Sequence, residues 1–364
     1  MSKAKNYRFS NLPRKYSLED YKNAVDCIIG KYAKIKGLAS IYNWGKPSLP
    51  GISDIDIVFV IKQNNASALP VLHRSFYFLD AKTRYMARHP FMFIDELSFQ
   101  NIRYVYPNAE FGRLYGKNIK IKELSPSDKY YCTVSLLNDL IIRHYPRDFL
   151  EQLVNKKVNV RDTLLRLNSL KYTINTLKTL TREKNKQWDY KLKLIGQLRR
   201  RWLDSKDFEL LVSLNEDAVG IAMEVIQKFR LFLLKTGFVK INSGGNVRYE
   251  GIKNKSLFIK NWRKESALQE MTQSIKNKQK FYSVLPIELS AQLTECSKFD
   301  GLISNYLKNN VSVDVHYKMR YKDIIKKRIW ILNSQAELAA KLKHSDFAAF
   351  FDFGYRNKSG INNW

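Results

Sequence analysis

Two aspartates that stand two positions apart, Asp54 and Asp56, are the residues of this sequence best suited to chemistry. They stand at the start of an apolar run, IDIVFVI at 55–61, whose β-branched and aromatic residues predict a strand. Because side chains alternate between the two faces of a strand, both carboxylates are expected on one face. Two adjacent anions repel each other, and a cation relieves that repulsion. Carboxylate oxygens are preferred ligands of Mg²⁺, so the pair is predicted to bind this ion.

A loop rich in glycine, proline and serine precedes the aspartates. It covers residues 45–53 and follows a short predicted strand, SIYNW at 40–44. Gly45 and Gly51 allow the chain to turn tightly and allow a ligand to approach the backbone closely. A strand, a glycine turn and a strand that begins with carboxylates would bring a triphosphate and a metal together. That combination is typical of in-line displacement at phosphorus.

This stretch resembles the nucleotidyltransferase superfamily of DNA polymerase beta. In that family a strand ends in Gly-Ser, a variable loop follows, and Asp-x-Asp stands on the next strand. Gly45 matches the glycine, and SDIDI at 53–57 is similar to the Ser-Asp-Ile-Asp-Leu form of bacterial members. The resemblance covers roughly residues 20–100. It implies magnesium-dependent transfer of a nucleoside monophosphate from a nucleoside triphosphate to a hydroxyl, with release of pyrophosphate.

The resemblance also implies roles for individual residues. Asp54 and Asp56 would be catalytic and would bind the metal, and a third carboxylate would come from a later strand. Asp95, in the predicted strand PFMFIDELSF at 90–99, is the expected third catalytic and metal-binding residue, with Glu96 as the alternative. The residues expected to contact the triphosphate are Gly45, Lys46 and Ser53.

The sequence departs from the family pattern in the glycine loop. Lys46 stands where the family has serine, so it offers phosphate a point charge in place of a hydroxyl donor. The loop from Gly45 to Asp54 is shorter than usual and contains two prolines. Because neither Asp95 nor Glu96 has a matched motif around it, a catalytically degenerate member that binds nucleotide or RNA is the alternative to an active enzyme. The acceptor stays open among the classes that family members use: RNA, a protein side chain, a hydroxylated antibiotic or a surface-glycan precursor.

The elements that must position these residues predict an α+β protein. A helix at about 18–36 precedes the two strands, a helix at about 66–88 follows them, and the strand at 90–99 completes a mixed sheet. Apolar residues at helical spacing dominate the middle of the chain, and short strands mixed with helices fill the remainder. The predicted parts are a nucleotidyltransferase domain at 1–125, a helical domain at 126–236 and a mixed α/β region at 237–364.

The net charge of +29 predicts attraction to polyanions. Nine basic residues fall within 182–206, where Trp188, Tyr190 and Trp202 are interleaved. Arginine and aromatic residues together suit phosphate contact and base stacking, so RNA or another polyanion is expected to bind there. The alternative is a solvated helix face with core aromatics beneath it. Abundant Lys, Asn and Ile also fit a purely compositional origin of the charge.

The remaining composition excludes several classes of protein. No run of about 18 apolar residues is present, so no transmembrane segment is predicted. The three cysteines, Cys27, Cys132 and Cys296, are far apart and lack CxxC spacing. This pattern argues against a disulfide framework and against a zinc site, and it predicts a cytoplasmic protein.

Overall fold

The computed structural model describes an α+β protein with two compact units. The described residues are 3–62, 79–88, 91–144, 146–242, 245–250, 256–279, 281–296 and 315–340. What we call the helical unit contains the described residues of Met1–Lys15, Val134–Glu295 and Asn309–Lys322. What we call the sheet unit contains those of Tyr16–Thr133, Cys296–Lys308 and Asp323–Trp364. The division into three domains, with boundaries after residues 125 and 236, stays a prediction.

Strands and helices are interspersed along the described chain. The strands are β1 (Arg8–Ser10), β2 (Leu38–Trp44), β3 (Ile57–Ile61), β4 (Met92–Asp95), β5 (Phe111–Gly116), β6 (Lys157–Asn159), β7 (Val239–Ile241), β8 (Val247–Glu250), β9 (Ser256–Lys260), β10 (Phe281–Pro286) and β11 (Val315–Tyr317). The α-helices are α1 (Leu18–Tyr32), α2 (Ala81–Ala87), α3 (Glu96–Gln100), α4 (Pro126–His144), α5 (Arg147–Asn155), α6 (Val160–Thr181), α7 (Lys186–Ser205), α8 (Phe208–Lys235), α9 (Lys264–Lys276), α10 (Ala291–Cys296) and α11 (Met319–Ala340).

A four-stranded mixed sheet lies at the centre of the sheet unit. Its spatial order is β4, β3, β2, β5. β2 runs antiparallel to both of its neighbours, whereas β3 and β4 are parallel. Parallel strands need a crossover connection, and α2 lies in the segment that joins β3 to β4. The predicted strands at 40–44 and 55–61 are confirmed as β2 and β3.

Apolar side chains cover both faces of this sheet. All five residues of β3 are buried. On one face Phe59 meets the ring of Tyr32 from α1. On the other face Val58 belongs to a buried cluster that includes Phe99 and Ile331. A strand buried on both faces reads as a continuous apolar run, as residues 57–61 do.

The first predicted helix is confirmed as α1, and its beginning follows from the sequence. The N–H of Asp20 donates to the Ser17 hydroxyl at 3.1 Å, and the Asp20 carboxylate accepts from the Ser17 N–H at 2.7 Å. This reciprocal pair is a capping box. The Lys82 ammonium of α2 also donates to Asp20, and these bonds lower the pKa of Asp20 to about 2. The start of α1 is thereby tied to α2.

Elsewhere the predicted elements are only partly confirmed. Of the helix expected at about 66–88, only the part at 81–87 is confirmed, as α2, which begins after the N-cap Asp80, and residues 63–78 lie outside the described part of the chain. The neighbouring strands β7 and β8 have different partners, since β7 pairs with β11 and β8 pairs with β9. Among the described residues, no helix combines the length and the apolar character that a membrane crossing requires.

Candidate functional site

The predicted metal-binding aspartates lie at one end of the sheet, immediately before β3. The strand begins at Ile57, so Asp54 and Asp56 stand in the segment that leads into it. Asp56 still extends the pairing with β2, since its carbonyl oxygen accepts from the N–H of Trp44 at 2.9 Å. Both aspartates are half-buried, whereas Ile55 and Ile57 are buried. This alternation places the two carboxylates on the side away from the isoleucines.

A guanidinium shares this end of the sheet with the aspartates. Nη1 of Arg88 lies 3.5 Å from Oδ2 of Asp54, and the two side chains are 23% and 19% exposed. Arg88 directly follows α2, and the N–H of Ile55 donates to the carbonyl oxygen of Met86 at 2.9 Å. The segment that carries the aspartates is therefore joined to the end of this helix. The cation offsets part of the repulsion between the carboxylates.

Two tyrosine hydroxyls hold the glycine loop in place. Tyr21 of α1 donates to the carbonyl oxygen of Ser53 at 2.5 Å and accepts from the N–H of Gly51 at 3.0 Å. Tyr85 of α2 donates to the carbonyl oxygen of Gly51 at 2.6 Å. Gly51 has a φ of 83°, a conformation that glycine adopts without penalty. The loop is thus fixed from two helices.

Ser53 faces the inside of this loop. Its hydroxyl accepts from the N–H of Leu49 at 3.1 Å, and its own N–H donates to the carbonyl oxygen of Leu49 at 2.8 Å. The residue is buried. The structure therefore gives Ser53 a role in holding the loop, and its contact with a triphosphate stays a prediction.

The turn after β2 offers open space beside the aspartates. Gly45 has a φ of 73°, and a Cβ built there would have no heavy atom within 4 Å. Its N–H already donates to the carbonyl oxygen of Glu110 at 3.0 Å, so the turn offers room and not an additional donor. Lys46 is exposed next to it. Because β2 is antiparallel to β3, both residues lie at the same end of the sheet as Asp54 and Asp56.

Asp95 lies at the opposite end of the sheet. It is paired with Ile61 in the parallel ladder between β3 and β4, five residues beyond Asp56. At about 3.3 Å per residue, five residues correspond to roughly 16 Å. The Asp95 carboxylate accepts from the N–H of Ser98 at 2.8 Å and from the hydroxyl of Ser334. The structure does not bring Asp95 together with the aspartate pair. β4 runs parallel to β3, so Asp95 at the end of β4 and the pair before β3 lie at opposite ends of the sheet.

The alternative third carboxylate also lies at that distant end. Glu96 is the first residue of α3 and pairs with Lys117 at 3.5 Å. The predicted strand at 90–99 is wrong in its second half, because Asp95 caps a helix that begins at Glu96. Within the described ranges, no three His, Cys, Asp or Glu side chains lie close enough together to hold a metal ion.

Three side chains at the site were not predicted from the sequence. They are Tyr21, Tyr85 and Arg88. The tyrosines lie on helices that pack against the loop, and the arginine directly follows one of these helices. The residues next to them in the sequence do not indicate this packing. The tyrosines occupy ordinary helix positions, and the arginine follows a helix without a recognisable motif.

Helix α7 forms most of the basic stretch at 182–206, and the two tryptophans of this helix belong to the core of the helical unit. Trp188 and Trp202 are each 1% exposed, so the prediction that they stack on bases is wrong. The indole N–H of Trp188 donates to Glu224 at 2.9 Å. Arg199 is also buried, and its guanidinium donates to Asn168. The alternative of core aromatics beneath a helix face is confirmed for these tryptophans.

A basic face nevertheless remains on α7. Lys186, Lys193 and Arg200 are exposed and stand seven residues apart, which places them on one side of the helix. Arg201 is exposed beside them, and Tyr190 is 57% exposed. We call these five residues the basic face of α7. A polyanion can reach these residues, and Arg182, Lys184 and Lys206 of the same stretch are exposed as well.

Comparisons of the chain with models of protein families, with curated proteins and with solved structures find no match.

Proposed function

We propose that the protein is a nucleotidyltransferase that transfers a nucleoside monophosphate from a nucleoside triphosphate to a hydroxyl acceptor. The observation that carries the proposal is the position of Asp54 and Asp56 at the start of the central strand β3, beside the open turn at Gly45. Helix, strand, glycine turn, aspartate strand, helix and strand follow one another in the order expected from the resemblance. The strand order β4, β3, β2 supports the same reading, since it keeps the turn and the aspartates at one end of the sheet.

The donor set fits a magnesium ion that is bound together with a triphosphate. Mg²⁺ is commonly held by one or two carboxylates, while waters and substrate phosphates supply its other ligands. Asp54 and Asp56 supply two carboxylates from a segment whose opposite side is buried. Arg88 pairs only loosely with Asp54, at 3.5 Å, and leaves that carboxylate partly exposed. Two carboxylates therefore suffice for a metal that arrives with its nucleotide.

The residues of the chain bind and orient the reactants. When bound, magnesium stabilises the charge that develops on the transferred phosphoryl group. Asp54 and Asp56 hold the magnesium ion at one end of a buried strand. The turn at Gly45 leaves room for the triphosphate, and Lys46 contributes a positive charge at the same end. Because hydrogen bonds hold the glycine loop before any ligand binds, little reorganisation is needed.

Nucleotide or RNA binding without transfer is the second candidate function. It is favoured by the position of Asp95, which lies at the other end of the sheet from the pair. No cluster of three potential ligands replaces it among the residues that the structure describes. A site with two carboxylates keeps the means to bind a metal nucleotide but lacks a third acid for proton transfer. Release of pyrophosphate separates the two candidates.

We expect the wild-type protein to bind a nucleoside triphosphate only with a divalent metal. Without the metal, the carboxylates of Asp54 and Asp56 repel the triphosphate, so affinity should fall about tenfold or more. Isothermal titration calorimetry with magnesium, repeated with excess chelator, measures the difference for each of the four ribonucleoside triphosphates. Asp95→Asn is the matched control, because asparagine also caps helices and residue 95 lies far from the pair. Equal affinity with and without metal would rule out the metal role.

Binding of RNA through the basic face of α7 is a separate proposal. Replacing Arg200 and Arg201 together with glutamate is expected to weaken RNA binding and to reduce its dependence on salt. Each lost phosphate contact lowers the slope of log K against log salt by about 0.7 for a single strand. Binding measured by fluorescence anisotropy at several salt concentrations gives this slope.

The control for the RNA experiment keeps the same change in net charge. Lys276 and Lys278 are exposed residues of the helical unit outside 182–206, and both are replaced with glutamate. An equal loss of affinity in this control would show that only the total charge matters. Absence of salt-dependent RNA binding in the wild type would show that the basic composition has no role in RNA binding.

A further inference from the structure

We propose that Arg88 is a positioning residue for the triphosphate, and that its guanidinium competes with the metal for Asp54 until the nucleotide binds. The inference rests on the proposed function and deepens it by naming the residue that couples metal binding to phosphate binding. It is carried by three observations on the described chain: a loose ion pair, a strained backbone conformation and a clamped helix end.

The ion pair between Arg88 and Asp54 is longer than the pairs made by Arg166 and Arg230, and it matches the 3.5 Å of the pair between Arg147 and Glu151 on one helix. Its closest approach is 3.5 Å, at the limit of a hydrogen bond. Arg166 and Arg230 each approach a carboxylate to 2.7 Å, as expected of pairs that hold a fold together. The loose pair leaves both groups partly exposed, so a ligand can reach them.

The backbone of Arg88 adopts a conformation that L-residues rarely populate. Its φ is 60° and its ψ is −42°, outside the left-handed helical region, where ψ is positive. Such conformations persist only where the surrounding structure enforces them, and they are concentrated at ligand sites. The basic residues with positive φ that end other helices, Lys156, Arg182 and Lys206, have ψ of 36°, 23° and 52°, within the left-handed helical region that Arg88 leaves.

Hydrogen bonds on two sides clamp the end of α2 to the aspartate segment. The N–H of Arg88 donates to the carbonyl oxygen of Arg84 at 2.8 Å, which completes the last turn of the helix. The bond from Ile55 to Met86 and the bond from Tyr85 to Gly51 join that turn to the loop. These bonds hold the backbone of Arg88, from which its side chain extends, next to the segment that carries Asp54.

The chemistry of guanidinium suits a triphosphate better than a metal-bound carboxylate. Its planar set of donors binds phosphate oxygens in pairs. When a divalent cation binds Asp54 and Asp56, it neutralises the carboxylate charge with which the guanidinium of Arg88 pairs. The triphosphate that is bound to the metal then becomes the anionic partner of the guanidinium. Arg88 should therefore oppose binding of the metal alone and favour binding of the metal with a triphosphate.

Calorimetry on the full chain tests these two opposite effects. The probes are magnesium chloride alone and inorganic tripolyphosphate in saturating magnesium, which carries the phosphate chemistry without depending on a base. Arg88→Ala is expected to bind magnesium about threefold to fivefold more tightly, because a partly exposed competing charge is removed. It is expected to bind tripolyphosphate about tenfold or more weakly, because a charge-assisted phosphate contact is lost. Arg84→Ala, an exposed arginine of the same helix, should leave both affinities within about twofold.

Arg88→Gly keeps the test valid if Arg88→Ala does not fold. Glycine removes the guanidinium and also relieves the backbone strain, so this variant should melt at or above the temperature of the alanine variant. It should show the same two opposite changes in affinity. If both affinities fall together in folded Arg88→Gly, or if neither changes, Arg88 has no role in coupling the two ligands.

Wild type and Asp56→Asn distinguish failure of this inference from failure of the proposed function. If the wild type shows no magnesium-dependent tripolyphosphate binding that Asp56→Asn removes, the proposed site is overturned, and the role of Arg88 with it. If that binding is present and the Arg88 variants leave it unchanged, the proposed function stands and only the role of Arg88 is overturned.

Discussion

Replacing Asp56 with asparagine is expected to lower nucleotidyl transfer by about a hundredfold or more and to leave the fold intact. Asparagine keeps the size of the side chain and one acceptor oxygen, but it loses the negative charge. Magnesium at the proposed site then loses a strong ligand, and the charge that develops on the phosphoryl group is stabilised less well. Removal of one of two neighbouring carboxylates also relieves repulsion in the metal-free protein. The melting temperature without metal should therefore be unchanged or slightly higher.

Pyrophosphate release measures this effect. Each of the four ribonucleoside triphosphates is tested, with a cell extract as the source of acceptors, because the acceptor class is open. Asp95→Asn is again the control and should retain activity, since Asp95 is about 16 Å along the strand from the pair. Full activity in Asp56→Asn would show that the carboxylate pair is not the active site. A wild type that binds metal nucleotide but releases no pyrophosphate would favour binding without transfer.

Ile331→Ala is expected to lower the free energy of unfolding by about 2–5 kcal/mol. Ile331 is fully buried and belongs to the cluster on one face of the central sheet, with Val58 and Val60. Truncation to alanine removes apolar contacts and leaves a cavity, because the surrounding strands relax only partly. Within the sheet unit, Arg328 of the same helix, α11, also donates to the carbonyl oxygens of Tyr104 and Val105 at 2.7 and 2.9 Å.

Chemical denaturation followed by circular dichroism gives the size of this loss. Glu337→Ala is the matched control, because Glu337 is exposed on the same helix and a surface substitution usually changes stability by no more than about 0.5 kcal/mol. A loss below about 1 kcal/mol for Ile331→Ala, similar to that of the control, would show that α11 does not complete the core of the sheet unit.

Local sequence determined much of the central sheet and its glycine turns. The runs at 40–44 and 55–61 predicted β2 and β3, because β-branched and aromatic residues favour strands wherever they stand. Ser17 and Asp20 set the start of α1, since a capping box needs only residues three positions apart. The need for glycine at 45 and 51 followed from the loop itself, and both residues have positive φ. Each of these features depends on neighbours within a few residues.

Tertiary structure alone decided which residues meet at the candidate site. Residue type and order predicted Asp95 as a third carboxylate, but the parallel direction of β4 puts it at the far end of the sheet. Arg88 reaches Asp54 only because α2 packs against the glycine loop. Trp188 and Trp202 read as stacking residues within a basic run, yet they are buried between helices. Strand direction and helix packing depend on contacts between residues far apart in the chain, and no local pattern encodes them.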